Sequence, residues 1–142
     1  MATYKGRLYL ARNTTSGPQL WSCNPSSNLC GPGDWKLVPN QNLDPQLTQM
    51  DNASLTTMSL LVATSQHLYV GYDGGAGARL YRTNNNNSPS NTDDFSAVSG
   101  AGLGAALTQL LDGQALSLGS REFLYLVARA GTGPAQVYRL AP

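Results

Sequence analysis

The sequence predicts an all-β fold built from repeated units, each a sheet of four short antiparallel strands. Three observations support this prediction. The chain of 142 residues aligns with itself without a gap at an offset of sixty residues. Short runs rich in aromatic and β-branched residues alternate with glycine-containing turns, as strands do. No uninterrupted amphipathic stretch reaches the roughly 12 residues that a stable helix needs, so helix content should be near zero.

The repeat is visible in matched positions along the two copies. Leu8–Leu10 aligns with Leu68–Val70, and Leu20–Trp21 aligns with Leu80–Tyr81. A third, partial copy begins at Leu124–Leu126. A long internal period indicates a repeat architecture in which equivalent residues form the common core. The sequence therefore divides into repeat 1 (about residues 5–64), repeat 2 (about 65–120) and a partial repeat 3 (about 121–142).

The second copy shows the strand pattern most clearly. Thr57–Ala63 is a mostly apolar run that suits a strand buried on both faces. After a short turn, His67–Tyr72 is rich in aromatic residues, and Asp73–Gly77 is a hairpin signal. Ala78–Thr83 alternates polar and apolar residues, as a half-buried antiparallel strand does. A polar loop then leads to a fourth short strand at Asp94–Val98.

The other copies repeat this order less completely. Three strands are predicted in each, at Arg7–Ala11, Gln19–Cys23 and Trp35–Val38, and at Ala115–Gly119, Phe123–Ala128 and Gln136–Leu140. The chain should therefore hold between two and three units and begin partway through one. The recurring Leu-Thr-Gln at residues 47–49 and 107–109 is either a short helical turn or the crossing to the next unit.

Four antiparallel strands joined by turns describe a β-propeller blade. The residues at 68–71 (LYVG), the glycines after them, 79–82 (RLYR) and Asp94–Phe95 resemble bacterial β-propeller repeat proteins, whose blades read LYVG…G…VWR…W. The layout is also similar to that of small oligomeric propeller lectins of the tachylectin-like and fucose-binding kinds. That resemblance implies a ring closed by oligomerisation and sugar binding between blades by Trp, Arg and Glu. The two Trp and one Glu of this chain do not recur in every copy. Trp21, Arg82 and Arg139 remain as possible ligand contacts.

Composition limits the partners and the compartment. A net charge of +1 with 12% charged residues argues against nucleic-acid binding, and no apolar run is long enough for membrane insertion. Cys23 and Cys30 enclose a turn-forming hexapeptide without metal-ligand partners, so we expect a disulfide that closes a local loop; the alternatives are two free thiols or a redox pair. An oxidising compartment follows, which predicts a secreted, cell-surface or periplasmic protein.

Most candidate functional residues recur, which favours a packing role. Large aromatic residues at matched positions are expected to fill the seams between blades. They are Tyr9, Tyr69, Tyr125, Trp21, Tyr81, Tyr138, Trp35 and Phe95. His67 has no orienting partner, and Asp93 and Asp94 point to opposite faces of a strand. Asp94 matches Asp34, which predicts a turn-capping role. No catalytic, cofactor or metal residues are predicted.

The sequence thus predicts a non-catalytic, extracellular binding or scaffold module that self-assembles through incomplete blades. The expected partner is a second copy or a neighbouring propeller segment, because an incomplete propeller exposes strand edges and apolar faces. The alternative is a carbohydrate-binding lectin with a glycan ligand. A more remote alternative is a propeller glycosidase, which would need two carboxylates across a cleft.

Overall fold

The fold is all-β, as predicted. A computed structural model describes residues 1–25, 29–85 and 87–140 and contains three antiparallel sheets. In each sheet the strands pair in chain order, so that each sheet is a simple meander. The first sheet comprises β1 (Ala2–Tyr4), β2 (Arg7–Thr14), β3 (Gly17–Cys23) and β4 (Trp35–Leu37).

The second sheet has the same four-strand order and the third has three strands. The second sheet comprises β5 (Thr57–Ala63), β6 (Leu68–Asp73), β7 (Arg79–Thr83) and β8 (Phe95–Ala97). The third sheet comprises β9 (Gln109–Leu118), β10 (Arg121–Arg129) and β11 (Gln136–Leu140). Strand β5 lies close to β1, β2 and β3 on one side and to β9 on the other, so the second sheet is the middle layer.

The expectation that the first unit has only three strands is wrong. Strand β1 pairs with β2 through a tight turn at Lys5 and Gly6, whose φ angles are 49° and 72°. Two consecutive positive φ angles are the signature of a two-residue hairpin. The three residues of β1 are too few to show an alternation, and only the glycine signals the turn. Each sheet also begins one strand before the corresponding sequence repeat.

The third sheet differs from its prediction in length. Strand β9 begins at Gln109, six residues earlier than the run of residues 115–119 suggests. A β-bulge interrupts its pairing with β10, because Val127 pairs with Asp112 whereas Ala128 pairs with Leu110. Asp112 and Gly113 interrupt the alternation of apolar residues, so the sequence pattern does not predict this part of the strand.

Strand β6 separates two hydrophobic cores. Its side chains alternate between the faces of the middle sheet, as strand geometry requires. Leu68, Val70 and Tyr72 pack in the core shared with the first sheet. Tyr69 packs in the core shared with the third sheet, beside Leu126. Both faces of the second sheet are therefore covered, which explains why β6 is an almost continuous apolar run.

Glycines allow the second and third sheets to approach closely. A Cβ at Gly71 would lie 2.5 Å from Leu110 Cδ1 and 2.8 Å from Leu60 Cβ. A Cβ at Gly113 would lie 2.7 Å from Leu60 Cδ1. Leu60 and Leu110 thus occupy the space that side chains at these two positions would take, and the two sheets interdigitate there.

The recurring Leu-Thr-Gln segment is the crossing between sheets rather than a helical turn. Thr48 is fully buried; its hydroxyl accepts from Leu20 N at 2.8 Å and donates to Val38 O at 2.6 Å. In the second copy, Leu107 O accepts from Ala78 N at 2.6 Å. The crossing segments are therefore fixed by hydrogen bonds to the preceding sheet, at β3 and the residue after β4 in the first copy and at the residue before β7 in the second.

The matched aspartates cap turns, as predicted. Asp34 Oδ2 accepts from Gly31 N at 2.8 Å, and Asp94 Oδ2 accepts from Ser90 N at 2.7 Å. Each carboxylate closes a short 3₁₀ turn that leads directly into the fourth strand, which begins with an aromatic residue. In the part of the chain that the structure describes, helical segments are limited to 3₁₀ turns of three or four residues, and none is long and apolar enough to cross a membrane.

Candidate functional sites: two end faces and an inter-sheet pocket

The outward side of the first sheet is one candidate site, called here the first end face. It consists of side chains on the side of the sheet opposite the core residue Leu20. Leu10 pairs with Trp21, which pairs with Leu37, so these three form one row across the strands. Leu10 is 38% exposed, and Trp21 and Leu37 are half-buried. A row of large apolar side chains on an open sheet face favours contact with another surface.

The outward side of the third sheet is the second end face. Phe123, Tyr125 and Val127 lie on alternate positions of β10, and Val137 and Arg139 lie beside them on β11. Val137 is 70% exposed, whereas the three residues of β10 are half-buried. The Arg139 guanidinium lies 5.0 Å from the centroid of the Phe123 ring, which places a cation at the centre of an apolar surface.

The end faces carry residues whose counterparts in the other sheets are fully buried. Val137 occupies the same register position as Leu20 and Leu80, both of which have 0% exposure. Leu10 likewise matches Val70 and Leu126, which also have 0% exposure. The first end face therefore corresponds to the side of the second and third sheets that receives a preceding sheet. The second end face corresponds to the side that receives a following sheet.

A disulfide closes the loop beside the first end face. Cys23 at the end of β3 is bonded to Cys30, as predicted, with a sequence separation of 7. Cys23 is fully buried and pairs with Leu8 and Trp35 on neighbouring strands. Residues 26–28 within this loop lie outside the described part of the chain. The bond ties the end of the third strand to the turn that begins the fourth.

Removing this disulfide should lower stability measurably. We expect the Cys23→Ser, Cys30→Ser double variant to lose roughly 2 kcal/mol, since cross-linking a short loop reduces the entropy of the unfolded chain. Denaturant unfolding of the two proteins measures the difference. A double variant as stable as the wild type would show that the bond adds nothing beyond native contacts.

A pocket of about 490 Å³ lies between the crossing segment at residues 40–51 and the outer strands, β7 and β8, of the second sheet. Its lining combines two carboxylates, Asp51 and Asp93, with the amide of Asn42 and the rings of Tyr81 and Phe95. Asn42 Nδ2 donates to Asp93 Oδ1 at 3.3 Å, and the Tyr81 hydroxyl donates to Asp51 Oδ1. Hydrogen-bond acceptors beside an aromatic ring are the groups that polyhydroxylated ligands use.

Burial controls the ionisation of two tyrosines in the first core. Burial, and then the hydrogen bond to Asp51 and its charge, raise the pKa of Tyr81 well above its usual range. Burial also raises the pKa of Tyr72, whose hydroxyl donates to Thr48 O at 2.5 Å. Both phenols therefore act as neutral donors that hold the crossing segment against the second sheet.

Stability should fall at alkaline pH for this reason. A tyrosine with a raised folded-state pKa ionises first in the unfolded chain, so its contribution persists below about pH 10 and is lost as pH rises through the folded-state value. We expect Tyr72→Phe to weaken this fall, with Tyr138→Phe as the matched control at a half-buried position. Unfolding free energies at pH 8 and at about pH 11 provide the measurement. Equal slopes for wild type and Tyr72→Phe would contradict this assignment.

The predicted aromatic residues divide between the cores and the end faces. Four are buried in the two cores: Tyr9, Tyr69, Tyr81 and Phe95. Four are half-buried: Trp21, Trp35, Tyr125 and Tyr138. Half-burial of Trp21, Trp35 and Tyr125 follows from their positions on the outward faces. The same positions in the middle sheet, where a neighbour is present, are covered.

The three predicted ligand contacts are not brought together. Trp21 faces outward from the first sheet, Arg82 lies on the side of the second sheet facing the third, and Arg139 faces outward from the third. The single histidine, His67, is 2.9 Å from Thr83 O through Nδ1 and packs edge-on against Tyr69. Sequence reasoning missed Asp51, whose match in the second copy is Leu111. That difference between copies was the available signal.

Comparisons with known proteins do not extend these assignments. Neither a scan against protein-family models nor searches of curated proteins and solved structures found a match for this chain. Among residues 1–25, 29–85 and 87–140, no group of three His, Cys, Asp or Glu side chains is placed to hold a metal ion.

Proposed function

We propose that this chain is a non-catalytic binding or scaffold module that assembles with a second copy of itself into a closed β-propeller. The observation that carries the proposal is the pair of end faces. Each contains residues whose counterparts are fully buried in the two internal interfaces of the same chain, such as Val137 against Leu20 and Leu80. Three sheets in each of two chains would give a ring of six blades.

The end faces are complementary rather than self-complementary. Inside the chain, the side carrying Leu80 packs against the side carrying Leu126. The second end face, with Val137, corresponds to the side that carries Leu80. The first end face, with Leu10, corresponds to the side that carries Leu126. Contact between copies is therefore head to tail, which closes into a ring when the rotation per chain permits. Complete burial of one Val or Leu contributes about 1.5–3 kcal/mol, so each face contributes substantially to association.

Thiol labelling tests whether the second end face is covered in solution. Free cysteines are absent from the described residues, so a Val137→Cys variant presents a single reactive thiol there. We expect it to react slowly with a maleimide when concentrated and faster on dilution. The matched control is Thr132→Cys at the exposed β10–β11 turn, which should react rapidly at both concentrations. Equal rates at both positions under all conditions would overturn the proposal.

The pocket between the crossing segment and the second sheet supports carbohydrate binding as a second candidate function. The Asp51 and Asp93 carboxylates would accept hydrogen bonds from sugar hydroxyls, the Asn42 amide would donate to or accept from them, and Phe95 would contact the apolar side of the ring. A glycan array tests this, with Asp93→Asn as a variant that retains shape but changes charge. Binding to at least one glycan that Asp93→Asn weakens tenfold would support the lectin. Absence of binding to any glycan would exclude it.

A further inference from the structure

Within residues 87–140, the third sheet has an open strand edge where the other two sheets carry a fourth strand. In the first sheet, β4 pairs with β3 so that Trp35 lies opposite Cys23. In the second sheet, β8 pairs with β7 so that Phe95 lies opposite Thr83. Strand β11 corresponds to β3 and β7, and within the described residues it pairs only with β10.

The backbone of β11 has the register needed to receive such a strand. Val38 N donates to Leu20 O at 2.8 Å in the first sheet, and Val98 N donates to Leu80 O at 2.8 Å in the second. Val137 is the counterpart of Leu20 and Leu80 in the third sheet. Its carbonyl is therefore placed as the acceptor for the amide of a valine at the end of an added strand.

A cavity beside β11 matches the aromatic residue of a fourth strand. It measures about 320 Å³ and lies between the second and third sheets. Its lining is apolar for the most part: Val98, Leu103, Leu107, Leu126, Tyr138 and Leu140. Leu140 has the register of Thr83, the partner of Phe95. At the junction of the first two sheets, the Phe95 ring packs in the core beside Tyr81.

We propose that the outer edge of β11 is a strand-acceptor site for an extended segment of a partner polypeptide. The segment would add antiparallel to β11, as peptides add to open sheet edges. The expected sequence of the segment follows from β4 and β8, which occupy the equivalent edge in the first two sheets. It is an aspartate, an aromatic residue, a variable residue, a small or aliphatic residue and a valine. The segments Asp34–Val38 and Asp94–Val98 both have this pattern.

Each feature of the pattern has a defined role. The aspartate would cap the turn that precedes the strand, as Asp94 does through Ser90 N. The aromatic residue would fill the cavity opposite Leu140, and the valine amide would donate to Val137 O. The cavity opens between the second and third sheets, and Arg139 of the second end face also lines it. Strand addition uses the backbone edge of β11 whereas the proposed ring uses the outward face of the sheet, so peptide binding and solution mass test the two proposals separately.

A labelled peptide with the sequence of residues 91–99 provides the probe. We expect saturable binding by fluorescence anisotropy and slower hydrogen exchange over residues 136–140 when the peptide is present. Replacing the phenylalanine of the peptide by alanine should weaken binding at least tenfold, because the cavity is then left empty. Replacing Ser96 of the peptide by alanine is the matched control and should have little effect, since that side chain is exposed in the second sheet.

Backbone methylation separates strand addition from nonspecific apolar contact. The amide of Val98, the residue after β8, donates to Leu80 O of β7, so by alternation the amide of Ala97 points away. A peptide N-methylated at the valine should lose binding, whereas one methylated at the preceding alanine should retain it. Absence of binding, or equal effects of the two methylations, would overturn the proposal. Protection of the Val137 and Arg139 amides, which by alternation point away from β10, before peptide addition would likewise overturn it by showing that another segment already covers the edge.

Discussion

Substituting Gly77 by alanine should destabilise this protein by roughly 3 kcal/mol or more. Gly77 has a φ of +119°, a conformation that L-residues rarely adopt. A Cβ there would lie 2.5 Å from Gly102 N and 2.9 Å from Ala101 C, which are backbone atoms of the connection into the third sheet. Backbone strain of 1–3 kcal/mol therefore adds to a clash that no side-chain rotation relieves. Urea unfolding measures the loss.

Two other glycines provide graded controls for Gly77→Ala. Gly17 is its match in the first copy and has a φ of +140°, but a Cβ there would meet the flexible Leu47 side chain at 2.9 Å. Gly17→Ala should therefore be less destabilising than Gly77→Ala. Gly75→Ala meets nothing within 4 Å and should change stability by less than about 0.5 kcal/mol. Equal losses at Gly77 and Gly75 would show that the hairpin does not pack as described.

Charged substitutions on either end face should dissociate the proposed two-chain assembly. In the proposed two-chain ring, the contact between a first and a second end face occurs twice and excludes water. Leu10→Asp and Val137→Asp each place a carboxylate in both of these contacts. We expect each variant to lower the apparent association constant at least a hundredfold while the single chain stays folded, because both residues are exposed within one chain. Leu43→Asp is the control, at a leucine with 49% exposure that lies on neither end face.

Mixing the two variants tests the head-to-tail arrangement. The Leu10→Asp chain keeps an intact second end face, and the Val137→Asp chain keeps an intact first end face. A mixture can therefore form one unaltered contact and should recover two-chain complexes that neither variant forms alone. Recovery in light scattering supports unlike faces in contact. A mixture that stays monomeric while both variants remain folded would favour like faces in contact instead.

The strands of the middle sheet and their order could be predicted from the repeat, and matched residues such as Leu20 and Leu80 are both fully buried. The division into two cores could not, because it depends on which face of each sheet a neighbour covers. The first strand could not be predicted, since three residues before the turn at Lys5 carry no periodicity. The early part of β9 was missed because Asp112 and Gly113 interrupt its apolar pattern. Gly113 belongs there for a three-dimensional reason, the position of Leu60 on the neighbouring sheet.

The candidate sites were only partly accessible to sequence reasoning. The disulfide followed from two cysteines and the turn-forming residues between them. The pocket did not, because it joins Asp51 from the crossing segment to Asp93 from a distant turn. Local patterns do not contain such pairings. Comparing copies was the more useful guide, since Val137 is exposed only because its sheet has no following neighbour in the described chain.

The mass of the wild-type protein in solution tests the central claim most directly. One chain has a mass of 15.0 kDa. Light scattering coupled to size-exclusion chromatography should show a discrete species of about twice that mass, persisting on dilution until the end faces separate. A stable, monodisperse species of 15.0 kDa across the concentration range would contradict closure by self-association.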